Sequence, residues 1–358
     1  MRTILSFQFS GFPILFILFM SCSNIPEGAL EKTYEKWDVI EKVENIREFP
    51  TEVILSAQTR PYLVGNFLVI VDFKSVHNGV HIYNKNTFEY LTSVGILGKG
   101  PGEITQYYDV FPVKGTQTFW MYDHGKLIVY EFDIEEILKT KSKGGQFLPK
   151  NIYDFDTKAF VVNPDRILSP DRVIGAGFYP TSNSTYRLRP GKYNFISGEY
   201  QTWGYVHPES KNDISRFWFT ISDKHERYVI AYTTMDLMTI CDLEGNLLYN
   251  IYGPNWGDSP TERRRNRYFH LVRIAGNYIF TPYLGNRGIV LDQYKRQRAV
   301  GSTQMIIFDI DGNYIKNMDL GEEIAWFAID EVNNRVIVNF IYSDPSLCYF
   351  DLNFDLYD

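Results

Sequence analysis

One short phrase recurs along the chain and constrains the fold more than any other feature. Its two clearest copies are Cys241-Asp242-Leu243-Glu244-Gly245-Asn246 and Phe308-Asp309-Ile310-Asp311-Gly312-Asn313. Each follows an apolar run and leads into another, Leu247-Leu248-Tyr249 and Tyr314-Ile315. Glycine accepts a positive φ and asparagine tolerates it, so both phrases read as tight turns between β-strands. Weaker copies begin at Tyr83-Asn84, Phe132-Asp133, Tyr193-Asn194 and Phe350-Asp351, six copies in all. A strand-rich unit repeating about every 40–50 residues predicts the blade of a β-propeller. The expected fold is all-β, a six-bladed β-propeller forming one domain over residues 37–358.

The runs around each phrase support this. Phe67-Leu68-Val69-Ile70-Val71, Tyr228-Val229-Ile230-Ala231-Tyr232 and Val336-Ile337-Val338 are apolar throughout rather than alternating. Such strands suit sheets covered on both faces by their neighbours. The third blade is the weakest, resting on Val173–Phe178 and Tyr186-Arg187-Leu188. The chain ends seven residues after Asp351, which leaves little room for a last outer strand. An N-terminal segment, Trp37-Asp38-Val39-Ile40 or Glu52-Val53-Ile54-Leu55, is therefore expected to complete the last blade and close the ring.

Connectivity then sorts the loops. With strands running up and down in order, the repeated turns fall at one end of the ring. The connections between second and third strands and between blades fall at the other. The insertions Gly95–Tyr108, Gly253–Tyr268 and Leu284–Thr303 all belong to this second end. Long loops gathered on a rigid scaffold are where binding usually resides. Two of them are basic within a chain of net charge −7. Arg263, Arg264, Arg265 and Arg267 lie in one, and Lys295, Arg296 and Arg298 in the other. With Trp256, Tyr268, His270, Tyr107 and Tyr108 they form the candidate binding set, suited to an anionic glycan, a carboxylate or anionic headgroups. The competing reading is solvated loop charge neutralised by Glu262 and Asp292.

Other chemistry is sparse. The six histidines are scattered, and a zinc site needs three or four convergent ligands. No Gly-x-Ser-x-Gly elbow occurs, and Asp123-His124-Gly125 reads as a turn. Neither a cofactor nor a metal is expected. The acidic balance argues against nucleic acid as a partner. Cys241 and Cys348 read as buried, unpaired thiols two blades apart.

Gly98-Lys99-Gly100-Pro101-Gly102-Glu103-Ile104 could cradle a phosphate, but no Lys-Ser/Thr pair or helix follows, as a P-loop requires. A compact crossing between blades is the favoured reading. A Gly-x-Gly-Pro-Gly-Glu stretch after the first clear blade resembles the TolB-like six-bladed β-propeller lipoproteins, and the likeness spans nearly the whole chain. The resemblance implies a six-bladed fold and an envelope location; it brings no assigned activity and no catalytic residues.

The N-terminus agrees. Arg2, then the apolar stretch Gly11–Met20, then Ser21-Cys22 form a secretion signal over residues 1–21. A small residue followed by cysteine here resembles the lipobox of bacterial lipoproteins, with Phe19 where that family has leucine. That resemblance implies lipidation of Cys22, with residues 22–36 as tether. No Asp follows Cys22, which favours the outer membrane, facing the periplasm or the surface. The functional expectation is a non-enzymatic envelope lipoprotein, held to the membrane by its lipid, that binds a glycan, peptide or protein partner on its long-loop face. The alternative is an envelope lyase or hydrolase acting on polysaccharide at the central funnel. Cys22→Ala is expected to move the protein from the membrane to the soluble fraction; continued sedimentation with membranes in high salt would exclude a lipid anchor.

Overall fold

The structure, a computed structural model, describes residues 29–123, 125–142, 148–154, 162–180, 186–211 and 216–358. The signal segment, Cys22 and His124 lie outside the described residues. Antiparallel sheets of consecutive strands follow one another along the chain. The first blade comprises Thr59–Val64, Phe67–Asp72, Asn78–Asn84 and Tyr90–Ile96. The second comprises Val110–Pro112, Thr118–Asp123, Ile128–Asp133 and Asn151–Asp154, and the third Val162–Ser169, Arg172–Pro180, Tyr186–Asn194 and Glu199–Thr202. Phe217–Ser222, Arg227–Tyr232, Leu237–Asp242 and Leu247–Tyr252 make the fourth.

The strand Tyr314–Asp330 belongs to two blades. Its first part pairs with Ser302–Asp309 as far as Asp319 and, past a register shift, at Ile324, and its last part pairs with Arg335–Phe340 from Ile324 onward. Gly321, at φ +76°, lies between them. The fifth blade thus holds Arg273–Ala275, Tyr278–Arg287, Ser302–Asp309 and the start of this strand, and the sixth its end with Arg335–Phe340 and Leu347–Asp351. Among the described residues no single closed sheet runs around the molecule; the blades meet face to face. Blade six packs on blade one, where Asn339 Nδ2 donates to Thr59 Oγ1 at 3.0 Å and the Arg335 guanidinium lies 3.9 Å from the Phe88 ring centre.

The repeated phrase works through its first side chain. Asp242 Oδ1 accepts from Asn246 N at 2.8 Å while Gly245 sits at φ +98°. Asp309 Oδ1 accepts from Asn313 N at 2.8 Å while Gly312 sits at φ +77°. Asn84 and Asn194 instead accept backbone N–H groups two and three residues on. Asp133 departs from the expected turn. It accepts from Glu135 N and Glu136 N, which makes it the N-cap of a helix, α1, Ile134–Ser142. Ile134 and Ile137 are buried, and the acidic first turn and basic last turn complement the helix dipole. Helix α1 therefore places a long connection at the turn end of the ring, where only short turns were expected.

The N-terminal segment binds to the outside of three consecutive blades. Leu30–Thr33, expected as tether, pairs in parallel with Leu247–Tyr252 of blade four. Ile40–Lys42 pairs in parallel with residues 317–319 of blade five. Arg47–Glu48 pairs antiparallel with Leu347–Asp351 of blade six. Neither 37–40 nor 52–55 is the segment that adds to the last blade. Trp37 instead fills the groove between blades four and five, against Tyr34, Tyr283, Phe308 and Tyr314. Phe49 packs on Tyr83 and Phe88 of blade one.

Cys241 and Cys348 are buried free thiols on the third strands of blades four and six. The glycine-rich stretch is a compact crossing. Glu103 Oε2 accepts from Gly100 N at 2.7 Å, and Lys126 Nζ donates to the carbonyls of Gly100 (2.8 Å) and Glu103 (2.6 Å).

Trp37→Ala should lower the unfolding free energy by about 3 kcal/mol, the scale of a buried aromatic truncation. Val39→Ala, at an exposed strap position, should change it by less than about 0.5 kcal/mol. Urea unfolding of the two variants checks this; equal effects would mean that the strap is not held by Trp37.

Candidate functional site

Two of the expected insertions are joined. Asn266–Phe269 pairs with the extended end of Tyr278–Arg287, and Gly288 N donates to Arg265 O at 3.1 Å. The first insertion carries a short helix, α2, Pro260–Arg265. Ser259 caps it in a capping box with Glu262, and proline at the first turn loses no needed donor. The second carries a two-stranded hairpin, Ile289–Leu291 with Gln297–Ala299.

The candidate residues divide by what their side chains already do. Arg263 donates to Trp256 O at 2.8 Å, lies over the Trp256 ring and reaches Glu209 at 3.6 Å. Arg296 pairs with Asp292 at 2.8 Å, and Arg298 with Glu323 at 2.8 Å. Arg267 donates to the carbonyls of Asn266 and Arg264. These cations are satisfied internally. Glu262 is occupied by the cap, so it neutralises none of them. Arg264, Arg265 and Lys295 are exposed and make no ion pair among the described residues; neither does the exposed Arg287, which sequence reasoning missed. The hairpin also exposes apolar surface: Ile289 is 54% and Leu291 64% accessible, beside Tyr294 at 68%.

The aromatic candidates do not belong to this surface. Tyr107 is 3% exposed and Tyr268 1%. The Tyr107 hydroxyl donates to Gly95 O at 2.8 Å, and that of Tyr268 to Asp258. Tyr108 is half-buried near Phe111, and Trp256 is wedged against Tyr252 and His207. His270 faces inward, edge-on to Trp218 at 4.9 Å. Burial, with Arg60 and Arg273 nearby, pushes it down to about 4.

That inward histidine borders a second site. A cavity of about 260 Å³ lies on the axis, lined from the inner strands of every blade: Tyr62, Asp109, Asp165, Trp218, Arg273 and Trp326 among others. Asp109 accepts from Tyr62 and pairs with Arg60, whose guanidinium lies 4.3 Å from the Trp326 ring centre. Trp218 and Trp326 meet edge-on at 5.7 Å. Asp165 accepts from Ile221 N at 2.7 Å. Burial pushes its carboxyl up to about 6, against the opposing pull of Arg273 and that N–H. Sequence reasoning missed this cluster because each member stands alone on its own blade. Among the described residues no group of three His, Cys, Asp or Glu could hold a metal ion, and no helix is long and apolar enough to cross a membrane.

Sheets in blades around an axial cavity define a β-propeller of six blades. The model of the TolB-like 6-blade propeller-like family matches residues 59–332, and the chain belongs to that family. Among solved structures it is similar to a DUF4221 family member from Bacteroides vulgatus, at 12% identity and a TM-score of 0.51, covering 86% of this chain and 95% of the other. It is also similar to a protein from Bacteroides fragilis provisionally described as exported, at 11% identity and a TM-score of 0.50, covering 90% and 98%. At such identities the likeness shows the fold alone. No curated protein matches the chain.

The Asp165 carboxyl has a folded pKa above its ordinary value of 3.8, so it costs nothing below that value and destabilises the fold as pH rises through about 6. Asp165→Asn should therefore raise stability by about 1–2 kcal/mol at pH 7.5, with the gain vanishing near pH 4. Thermal melts of parent and variant across pH 4–8 check this; a gain independent of pH would contradict it.

Proposed function

We propose that this protein is an envelope lipoprotein whose insertion end docks an acidic protein partner. The observation that carries the reading is the joined platform of α2 and the hairpin. It presents Arg264, Arg265, Arg287 and Lys295, which have no ion-pair partner among the described residues, around exposed Ile289, Leu291 and Tyr294. An isolated two-stranded hairpin is marginal in water, and exposed apolar residues with a basic rim suit a partner that brings carboxylates and apolar contacts together. The signal-like N-terminus supports the envelope location.

The strap supports an orientation. Leu30 lies level with Tyr249 and Thr33 with Tyr252, so the chain runs from the turn end toward the insertion end. A lipid on Cys22, eight residues before Leu30 and within about 28 Å of contour, holds the turn end toward the membrane and leaves the platform facing away. On this reading Arg47–Glu48 is the closing strand of the ring.

Arg264→Glu with Arg265→Glu and Lys295→Glu is expected to leave the melting temperature within a few degrees of the parent. A photo-crosslinker at Leu291 in intact cells should capture a discrete acidic protein in the parent, and the adduct should disappear in the triple variant and in high salt. A crosslinker at Ile196, exposed in blade three, is the control. Absence of an adduct at Leu291, or one indifferent to charge and salt, would overturn the reading.

A further inference from the structure

The axial cavity is a site of its own, sharing no residue with the platform. We propose that it binds a hydroxylated ring bearing one carboxylate, an acidic sugar of the uronic-acid class. Size comes first. A cavity of about 260 Å³ corresponds to roughly nine waters at ~30 Å³ each, room for one substituted ring rather than a polymer. The walls come next. Trp218 and Trp326 form a corner, with rings 78° apart, extended by Phe217, Phe219 and Phe111. Aromatic walls hold the apolar face of a ring, and a few placed polar groups fix its orientation.

Those polar groups select the substituents. Arg60 is already paired with Asp109, but Arg273 makes no ion pair among the described residues. Among the described residues its Nη1 donates to the adjacent carbonyl of Val272 at 3.1 Å, its guanidinium lies 5.7 Å from the Trp326 ring centre, and its charge is felt by Asp165. A guanidinium has five donors in a fork that matches a carboxylate, so Arg273 is left with the donors for one. Asp109 and Asp165 line the same space and would repel a dianion such as phosphate. They also offer acceptor oxygens, which suit ring hydroxyls and would face bare carbon in an aromatic acid. The side chain of Arg60 is 36% exposed, and the start of the inner strands, where Arg60, Asp109 and Arg273 lie, is at the insertion end, so solvent reaches the cluster from that end.

Calorimetric titration of the detergent-solubilised full chain tests the proposal. The probes are galacturonate, glucuronate, galactose, galacturonate methyl ester, benzoate, inorganic phosphate and trigalacturonate. At least one uronate should bind, with galactose, the ester, benzoate and phosphate at least tenfold weaker, and tryptophan fluorescence should change in step. Arg273→Gln should lose at least tenfold in affinity with an unchanged melting temperature. Should that variant not fold, Arg273→Lys keeps the charge without the fork and should also lose affinity. Arg264→Glu with Arg265→Glu and Lys295→Glu should bind uronate as the parent does, so failure of the platform reading is separable. Tighter binding of the trisaccharide identifies a glycan terminus as the source, and binding of the monosaccharide alone identifies a free sugar acid. No uronate binding by the folded parent, equal binding of galactose, or full affinity in the folded Arg273 variants would overturn the proposal.

Discussion

Burial of each sheet on both faces is the constraint on which the rest of the structure depends. In the second strand of blade one, Leu68, Val69, Ile70 and Val71 are all inaccessible to solvent. Successive side chains of a strand point to opposite faces, so both faces of this sheet are covered. No blade can satisfy that alone, and each must have two neighbours. The contact of the last blade with the first is where such an arrangement is most exposed to error, and there Leu68, Ile70 and Tyr83 meet Ile337 and Leu347 in an apolar cluster edged by polar contacts. Arg335 and Asp330 form a buried pair at 3.2 Å, and Arg335 also donates to Lys85 O across the seam. A buried ion pair adds little net stability, but losing either partner strands the other charge. Apolar surfaces alone would tolerate sliding of one blade over the other; paired donors and acceptors fix one register.

The same constraint accounts for the strap. Outer strands have one unpaired edge, and short or polar additions are a common way to blunt it. Leu30–Thr33 reads Leu-Glu-Lys-Thr, with no apolar alternation to mark it as a strand. Its pairing is visible only once the edge of blade four exists to receive it. The two aromatic plugs, Trp37 and Phe49, carry the packing, and the two-residue strand Arg47–Glu48 is too short to leave a pattern. The sequence led to the expectation of an N-terminal addition at residues 37–40 or 52–55, whereas the residues that pair with the last blade are Arg47–Glu48.

The turn phrase shows how one local rule serves two outcomes. An Asx side chain that accepts N–H groups two and three residues on can start a turn or cap a helix. At Asp242 and Asp309 a glycine with positive φ three residues later commits the chain to reverse. After Asp133 no glycine follows; Ile134-Glu135-Glu136-Ile137-Leu138 has helical spacing of apolar residues, and α1 results. The missing glycine was the legible difference. The candidate surface was legible in another way. Connectivity alone assigned Gly253–Tyr268 and Leu284–Thr303 to one end, and the structure joins them through the Asn266–Arg287 pairing. Which cations were already spent was not legible, because Glu209 and Glu323, the partners of Arg263 and Arg298, come from other segments.

The axial cluster lay beyond linear reading for a geometric reason. Inner strands are the one place where all the blades approach each other, so a polar residue at the same position of each blade meets residues dozens of positions away. Desolvation is then shared. The effects follow: the carboxyl of Asp165 rises and the imidazole of His270 falls, both toward the neutral form. Carboxylates of the surface loops behave oppositely. Asp292, partly exposed on its loop, is held low by the backbone N–H and side chain of Arg296. Charge on this protein is thus graded from axis to rim, costly and enclosed at the centre, cheap and solvated on the insertions. Groups at the axis are few and enclosed, while the cations of the insertions Arg264, Arg265, Arg287 and Lys295 are exposed. Asp109 and Arg273 lie toward the platform's end of the ring because the inner strands begin where the insertions lie, a consequence of strand order rather than of any particular residue.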